Sequence, residues 1–164
     1  MRLILCPGSA ENQKFKRWGI ENFVQTADSF IGLGFEVIII LGPEEGYLES
    51  YFKDCNIIRS PSFKDLIVLG KKSDLIVCND SFLLHFFAFI DSKVLGVFGP
   101  TKSTRTLPPN ADIIESDLPS KTRPCWGTKN YGRCDNGYCS CFDGLSPKIL
   151  LKKCLDLLHK SKTY

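Results

Sequence analysis

Between Asp74 and Thr101 the chain runs DLIVCNDSFLLHFFAFIDSKVLGVFGPT, and this stretch limits the possible folds more than any other. Asp74 to Cys78 is an apolar run of strand length. Asp80 and Ser81 stand where a helix should begin, and Ser81 to Ile90 is apolar almost all round, which reads as a buried helix. Lys93 to Phe98 is a second apolar run, stopped by Gly99-Pro100-Thr101. Apolar strands without alternation are buried on both faces, the habit of parallel sheets. In open α/β sheets ligands bind beyond the carboxyl ends of the strands, often at helix N-termini. The polar residues of the stretch, Asn79, Asp80, Ser81, His85 and Thr101, gather at those two strand ends.

The rest of the chain repeats the alternation. Arg2 to Cys6 is a short strand ending in Pro7-Gly8-Ser9, and Ala10 to Arg17 reads as a polar, basic loop. Trp18, Ile20, Phe23, Val24, Ala27, Phe30 and Ile31 form a helical stripe, closed by Gly32 and Gly34. Phe35 to Leu41 is a β-branched strand, followed by the loop Gly42 to Gly46 and a short helix from Tyr47 to Lys53. Asn56 to Ile58 is a short strand. Ser62 with Asp65 makes a capping box for a helix to about Lys71. After the central stretch, Thr101 to Asn110 reads as a loop and Ala111 to Glu115 as a last strand. Asp117 to Gly144 has little periodicity. Ser146-Pro147 opens a closing helix, Ile149 to His159. The pattern predicts one α/β domain over residues 1–164, a Rossmann-like doubly wound parallel sheet.

Composition narrows the partners. With 43% hydrophobic and 24% charged residues the chain is globular, and a net charge of +3 is too small to argue for nucleic acid. MRLILCPGS does not read as a signal peptide, and no segment approaches the ~20 apolar residues of a membrane helix. The expected compartment is the cytoplasm.

Three strand-end loops fall on one edge of such a sheet. The first runs from Gly8-Ser9 to Lys14, Lys16 and Arg17, the second is Gly42 to Glu45, and the third is Asp80-Ser81 with His85 one turn on. Cations and a helix N-terminus suit phosphates, and a glutamate can accept from ribose hydroxyls. Neither GxGxxG nor GxxxxGK[ST] is present. Each residue has a plainer reading. The basic residues could be a solvated turn, Glu44 and Glu45 could cap the following helix, Asp80 or Ser81 could be an N-cap, and His85 a core histidine. Spacing alone supports the ligand edge of an α/β domain.

Four segments, in order, resemble glycosyltransferase family 9, the ADP-heptose:lipopolysaccharide heptosyltransferases. CPGSAENQKFKRWG resembles the family's PG(A/S)…KRWP opening, VIIILGPEE its strand and acidic loop, and VCNDSFLLHFFAFIDSKVLGVFGPT its D(T/S)GxxHLAAALG…FGPT segment. RPCW…RCDNGYCSCFDGLSP resembles a cysteine-containing tail. The resemblance implies the C-terminal half of a GT-B fold, which holds the nucleotide sugar. It implies donor contacts from Ser9, Lys16, Glu44 or Glu45, Asp80, Ser81 and His85, with no cofactor and no metal. It implies an ADP-heptose-like donor and a lipopolysaccharide-type acceptor. A separate N-terminal half would supply the acceptor site and the base, and no catalytic residue is assigned here. The family's glycine after Asp-Thr/Ser is Phe82, the proline after KRW is Gly19, and its small helix residues have become Phe86, Phe87 and Phe89. A non-catalytic nucleotide-sugar-binding or interaction module, left from a truncated or split transferase, is the competing expectation. Phe82, Phe86 and Phe89 are expected on one helix face, as an exposed patch or a surface that meets a partner.

Cys125, Cys134, Cys139 and Cys141 lie together in the aperiodic segment. Four thiolates can close a zinc site, but one distant Cys followed by C-x4-C-x-C is not a paired CxxC, and thiols or a disulfide are the favoured expectation. The closing helix carries Lys148, Lys152, Lys153 and Lys160 opposite its leucines, so it could touch an anionic membrane, such as the inner face of the inner membrane, or pack on the sheet.

Overall fold

The computed structural model describes residues 1–117, 124–129, 131–133 and 140–160. Six strands form one sheet: β1 (Arg2–Cys6), β2 (Glu36–Leu41), β3 (Asn56–Arg59), β4 (Leu75–Asn79), β5 (Val94–Phe98) and β6 (Ala111–Glu115). Their order is β3-β2-β1-β4-β5-β6 and every pairing is parallel. This is the doubly wound, Rossmann-like α/β sheet that the sequence pattern predicts.

The strands alternate between two cores because successive side chains leave a strand on opposite faces. Leu3, Leu5, Val37, Ile39, Val77 and Val97 face one side, where α1 (Ile20–Gly32) and the closing helix pack. Ile4, Cys6, Ile38, Ile40, Ile76 and Cys78 face the other, beneath α2 (Phe63–Lys71) and α3 (Phe82–Phe89). Burial is complete or nearly so along β1, β4 and β5, which is why no polar alternation appears in their sequence.

Ser62 caps α2 as expected, accepting from the Asp65 amide while Asp65 accepts from the Ser62 amide at 3.0 Å. A one-turn helix, α4 (Ser103–Thr106), interrupts the segment expected to be a loop. The closing helix is α5 (Pro147–Lys160); its Leu150, Cys154, Leu157 and Leu158 are buried in the core. The apolar face of α5 is therefore spent on packing against the sheet and α1.

Four expectations need correcting. The first helix does not begin at Trp18. Gly19 takes φ +104°, a conformation open to glycine, so α1 starts at Ile20 and Trp18 lies outside it. Ala10 to Arg17 is a kinked 3-10 turn over Glu11–Lys16, and the helix expected from Tyr47 is a 3-10 segment over Pro43–Tyr51. Helix α3 is not buried all round. Leu84, Phe87 and Ala88 face the core, while Phe82, His85 and Phe89 are exposed.

Candidate functional site

The sheet changes winding direction between β1 and β4, and the loops after these two neighbouring strands splay apart there. Asn79, the last residue of β4, ties the crevice together. Its Oδ1 accepts from the Trp18 amide at 3.0 Å and its Nδ2 donates to the Pro7 carbonyl at 2.7 Å. The Trp18 indole donates to the Leu145 carbonyl at 3.0 Å. Trp18 thus joins the β1 loop, the end of β4 and the segment leading into α5. It also packs edge-on against Phe23.

Asp80 follows, 3% exposed. Lys16 Nζ lies 2.8 Å from its Oδ2, the Thr101 hydroxyl donates to the same oxygen at 2.5 Å, and His85 Nε2 lies 3.9 Å from Oδ1. A buried carboxylate is tolerated only when paired and hydrogen-bonded, and Asp80 has both forms of support. His85 is half exposed, facing the crevice; the core-histidine reading fails because α3 turns this side to solvent.

Ser81 is the N-cap residue of α3, yet its side chain makes no capping bond. Its Oγ is buried and, among the described residues, finds no partner. A hydroxyl in that state costs roughly 1–3 kcal/mol. It sits at a helix N-terminus, where backbone N–H groups also lack partners.

The second loop separates the two glutamates. Glu44 is exposed, while Glu45 is 7% exposed and fully engaged. The Ser9 amide donates to Glu45 Oε1 at 3.1 Å and the Gly42 amide to Oε2 at 2.8 Å. Arg17 adds a contact of 3.4 Å to Oε1 and donates to the Ser9 carbonyl at 2.8 Å, the Ser9 hydroxyl at 3.1 Å and the Tyr47 hydroxyl at 2.6 Å. The Glu45 carboxylate lies directly on Gly8, where any Cβ would collide with it. Helix capping therefore describes Glu45 only in part, since it also fastens the β1 loop to the β2 loop. Of the basic trio, Lys14 pairs with Glu11 at the surface, whereas Lys16 and Arg17 are each only 12% exposed and point inward. Their residue type and number are visible in the sequence, but nothing there distinguishes Arg17 as a brace or Trp18 as a tie.

Ser9, Glu44, Glu45, Ser81 and Phe82 share the lining of a pocket of about 220 Å³ between the two loops and the first turn of α3. Lys16, Asp80 and His85 form a second group beside it, linked through the consecutive residues Asp80 and Ser81. All seven expected residues thus stand along one edge of the sheet.

The cysteine cluster divides. Cys125 and Cys141 are buried, and Cys134 and Cys139 lie outside the described residues. Among the described residues no three His, Cys, Asp or Glu side chains converge as a metal would require. Also among the described residues, no helix is long and apolar enough to cross a membrane. The thiols of Cys6 and Cys154 are pushed up by burial, the latter to about 12, so both are held protonated.

An open parallel sheet with its polar side chains gathered at the switch point defines an α/β domain of Rossmann-like type. The model of glycosyltransferase family 9 (heptosyltransferase) matches residues 2–133, and the chain belongs to that family. It is 28% identical to lipooligosaccharide heptosyltransferase 2 of Campylobacter jejuni over 96% of its own length and 51% of the relative's. It is 27% identical to the enzyme of the same name from Haemophilus influenzae, over 94% of this chain and 46% of that one. The chain spans about half the length of the curated relatives it matches. Among solved structures it resembles ADP-heptose LPS heptosyltransferase II of E. coli, with TM-score 0.77 at 20% identity, covering 99% of this chain and 47% of that one. A glycosyltransferase family 9 protein of Veillonella parvula gives TM-score 0.76 at 20% identity over 98% and 46%. At these identities the structural likeness establishes the fold, one half of a GT-B arrangement.

Proposed function

We propose that this chain is the donor-binding half of a heptosyltransferase, a single domain that holds an ADP-sugar for transfer to a lipopolysaccharide-type acceptor. The observation that carries the reading is the unpartnered Ser81 hydroxyl, at the N-terminus of α3 and next to the Lys16–Asp80 pair. A diphosphate would supply the missing acceptor atoms for that hydroxyl and for the first amides of α3. Asp80 would repel such an anion if it stood alone. Paired with Lys16 and bonded to Thr101 it is neutralised, and it fixes the ammonium at the crevice. Both Glu45 oxygens already accept from backbone amides and the side chain is buried, so Glu44, open at the pocket, is the better-placed acceptor for the ribose hydroxyls.

In the transfer, an acceptor oxygen bonds to the sugar's anomeric carbon as the bond from that carbon to the diphosphate breaks. The bonding electrons leave with ADP, and the acceptor's proton passes to a base. Lys16, Ser81 and the α3 amides stabilise the charge that grows on the departing diphosphate, which is electrostatic catalysis. The base is a separate requirement. None of the crevice residues is assigned it, and it would come from a second, N-terminal half.

Two structures of one E. coli heptosyltransferase support the donor class. The one solved with ADP matches at TM-score 0.70, and the one with ADP-2-deoxy-2-fluoro heptose at 0.69, at 13% and 12% identity. The test is a calorimetric titration of the chain with ADP and with ADP-heptose, repeated on Ser81→Ala. Wild-type binding that weakens on loss of the hydroxyl supports the reading; a wild-type chain that binds neither ligand sinks it. Binding without transfer, even with a supplied N-terminal half, would favour the non-catalytic module.

A further inference from the structure

The first turn of α3 carries an aromatic ring at the mouth of the pocket. Phe82 lines it and is 60% exposed. The ring is not loose. It lies 5.8 Å from Phe86 and 6.2 Å from Phe63, centroid to centroid, and Phe63 stacks on Phe86 at 5.7 Å. Two rings, Phe63 from α2 and Phe86 from α3, thus hold Phe82 in place while leaving much of it bare. Pro43 and Leu83 add apolar surface to the same lining, and Glu44 adds an acceptor.

The size of the pocket restricts what can occupy it. At about 220 Å³ it falls below the ~300–1,000 Å³ of sites that enclose a drug-sized ligand. It therefore takes one flat part of a larger molecule. Apolar walls with a carboxylate at the lip suit a heterocyclic base with its ribose, while the charged remainder extends towards Ser81 and Lys16.

We propose that Phe82 is a stacking wall for the nucleobase of a nucleoside diphosphate donor, so that this chain selects for an aromatic base as well as for phosphate. The inference rests on the donor-site reading and adds a specificity-determining residue to it.

The experiment compares ADP with inorganic pyrophosphate as calorimetric ligands for the full chain, Phe82→Ala and Phe82→Tyr. Phe82 is exposed, so thermal melting should be little changed in either variant. The expected result is about tenfold weaker ADP binding by Phe82→Ala, the loss of one base–aromatic stack. Pyrophosphate binding should stay within twofold, and Phe82→Tyr should restore ADP affinity. Equal ADP affinity in wild type and Phe82→Ala overturns this inference and leaves the donor-site reading standing. A parallel loss for pyrophosphate overturns it too, since the ring would then act on the phosphates. Failure of the wild type to bind ADP removes both.

Discussion

Lys16 Nζ lies 2.8 Å from Asp80 Oδ2, and both side chains are largely shielded from water, at 12% and 4% exposed. The β1 loop and the β4 end are therefore joined by an ion pair with little solvent screening. Removing one member of such a pair leaves a buried charge that the other no longer balances. Lys16→Ala should destabilise the fold by about 3 kcal/mol. Replacing both partners, as in Lys16→Met with Asp80→Asn, should cost less than the sum of the two changes. Urea denaturation of the four proteins measures this, and strict additivity would contradict the coupling.

The two adjacent glutamates should behave oppositely. Glu45→Ala strips the Ser9 and Gly42 amides and Arg17 of their acceptor, and should cost about 2–3 kcal/mol. Glu44→Ala touches an exposed side chain, so its effect should lie within about 0.5 kcal/mol. For ADP affinity Glu44→Ala is the informative change. A melting curve beside a titration for each variant separates fold from ligand, and a Glu45→Ala protein as stable as wild type would refute the bracing role.

Gly70 and Ser92 mark a second close approach, between α2 and the turn after α3. A Cβ on Gly70 would lie 2.7 Å from Ser92 Oγ and 3.0 Å from both Ile90 Cδ1 and Phe87 Cδ1. Ser92 Oγ is buried and unpartnered among the described residues. Ser92→Ala should stabilise the protein by about 1 kcal/mol, because it removes a desolvated hydroxyl. Gly70→Ala should cost about 1–3 kcal/mol by overpacking, and less in the Ser92→Ala background. Chemical denaturation of the single and double variants reads all three numbers.

The cap of α2 sets an acid limb. Hydrogen bonds from the Ser62 hydroxyl and amide hold the Asp65 carboxyl below its usual range. The folded value is depressed, so this stabilisation is complete above the ordinary carboxylate range. It is lost as pH falls through the folded value. Asp65→Asn should lower stability near neutrality, where the carboxylate's contribution is complete, and flatten the acid part of the stability–pH curve, a difference that denaturation at neutral and at a series of acidic pH values would resolve.

Much of this molecule could be read before its coordinates. β1, β2, β4 and β5 are buried on both faces, and an unbroken apolar run is the direct consequence, so their position and parallel pairing followed from residue type. Ser62 and Asp65 were equally legible, since a capping box is local chemistry. The start of α1 was not. Trp18 fits a helical stripe by spacing, but a glycine at positive φ stands behind it and a distant Asn79 side chain claims its amide. The choice between Glu44 and Glu45 was hidden for a related reason. It depends on how a 3-10 segment rotates them, and on Arg17 reaching across from another loop. For α3 the apolar run alone suggested burial all round, and the spacing of Phe82, Phe86 and Phe89 an outward face. Phe82 and Phe89 are indeed exposed, because residue type in a wholly apolar helix does not tell which side lacks a neighbour.

The indole of Trp18 finds its acceptor at Leu145, 127 positions further along the chain. β1, whose following loop carries Trp18, is a central strand, flanked by β2 and β4. On a ribosome, then, the crevice cannot take its final form when its own loops emerge. The Lys16–Asp80 pair must await residue 80, and the Trp18 tie must await residue 145, beyond the 2–133 span that the family model matches. The segment leading into α5 is the late fastening of an early loop. A nascent chain stalled before it would hold most of the sheet and an unfinished ligand edge.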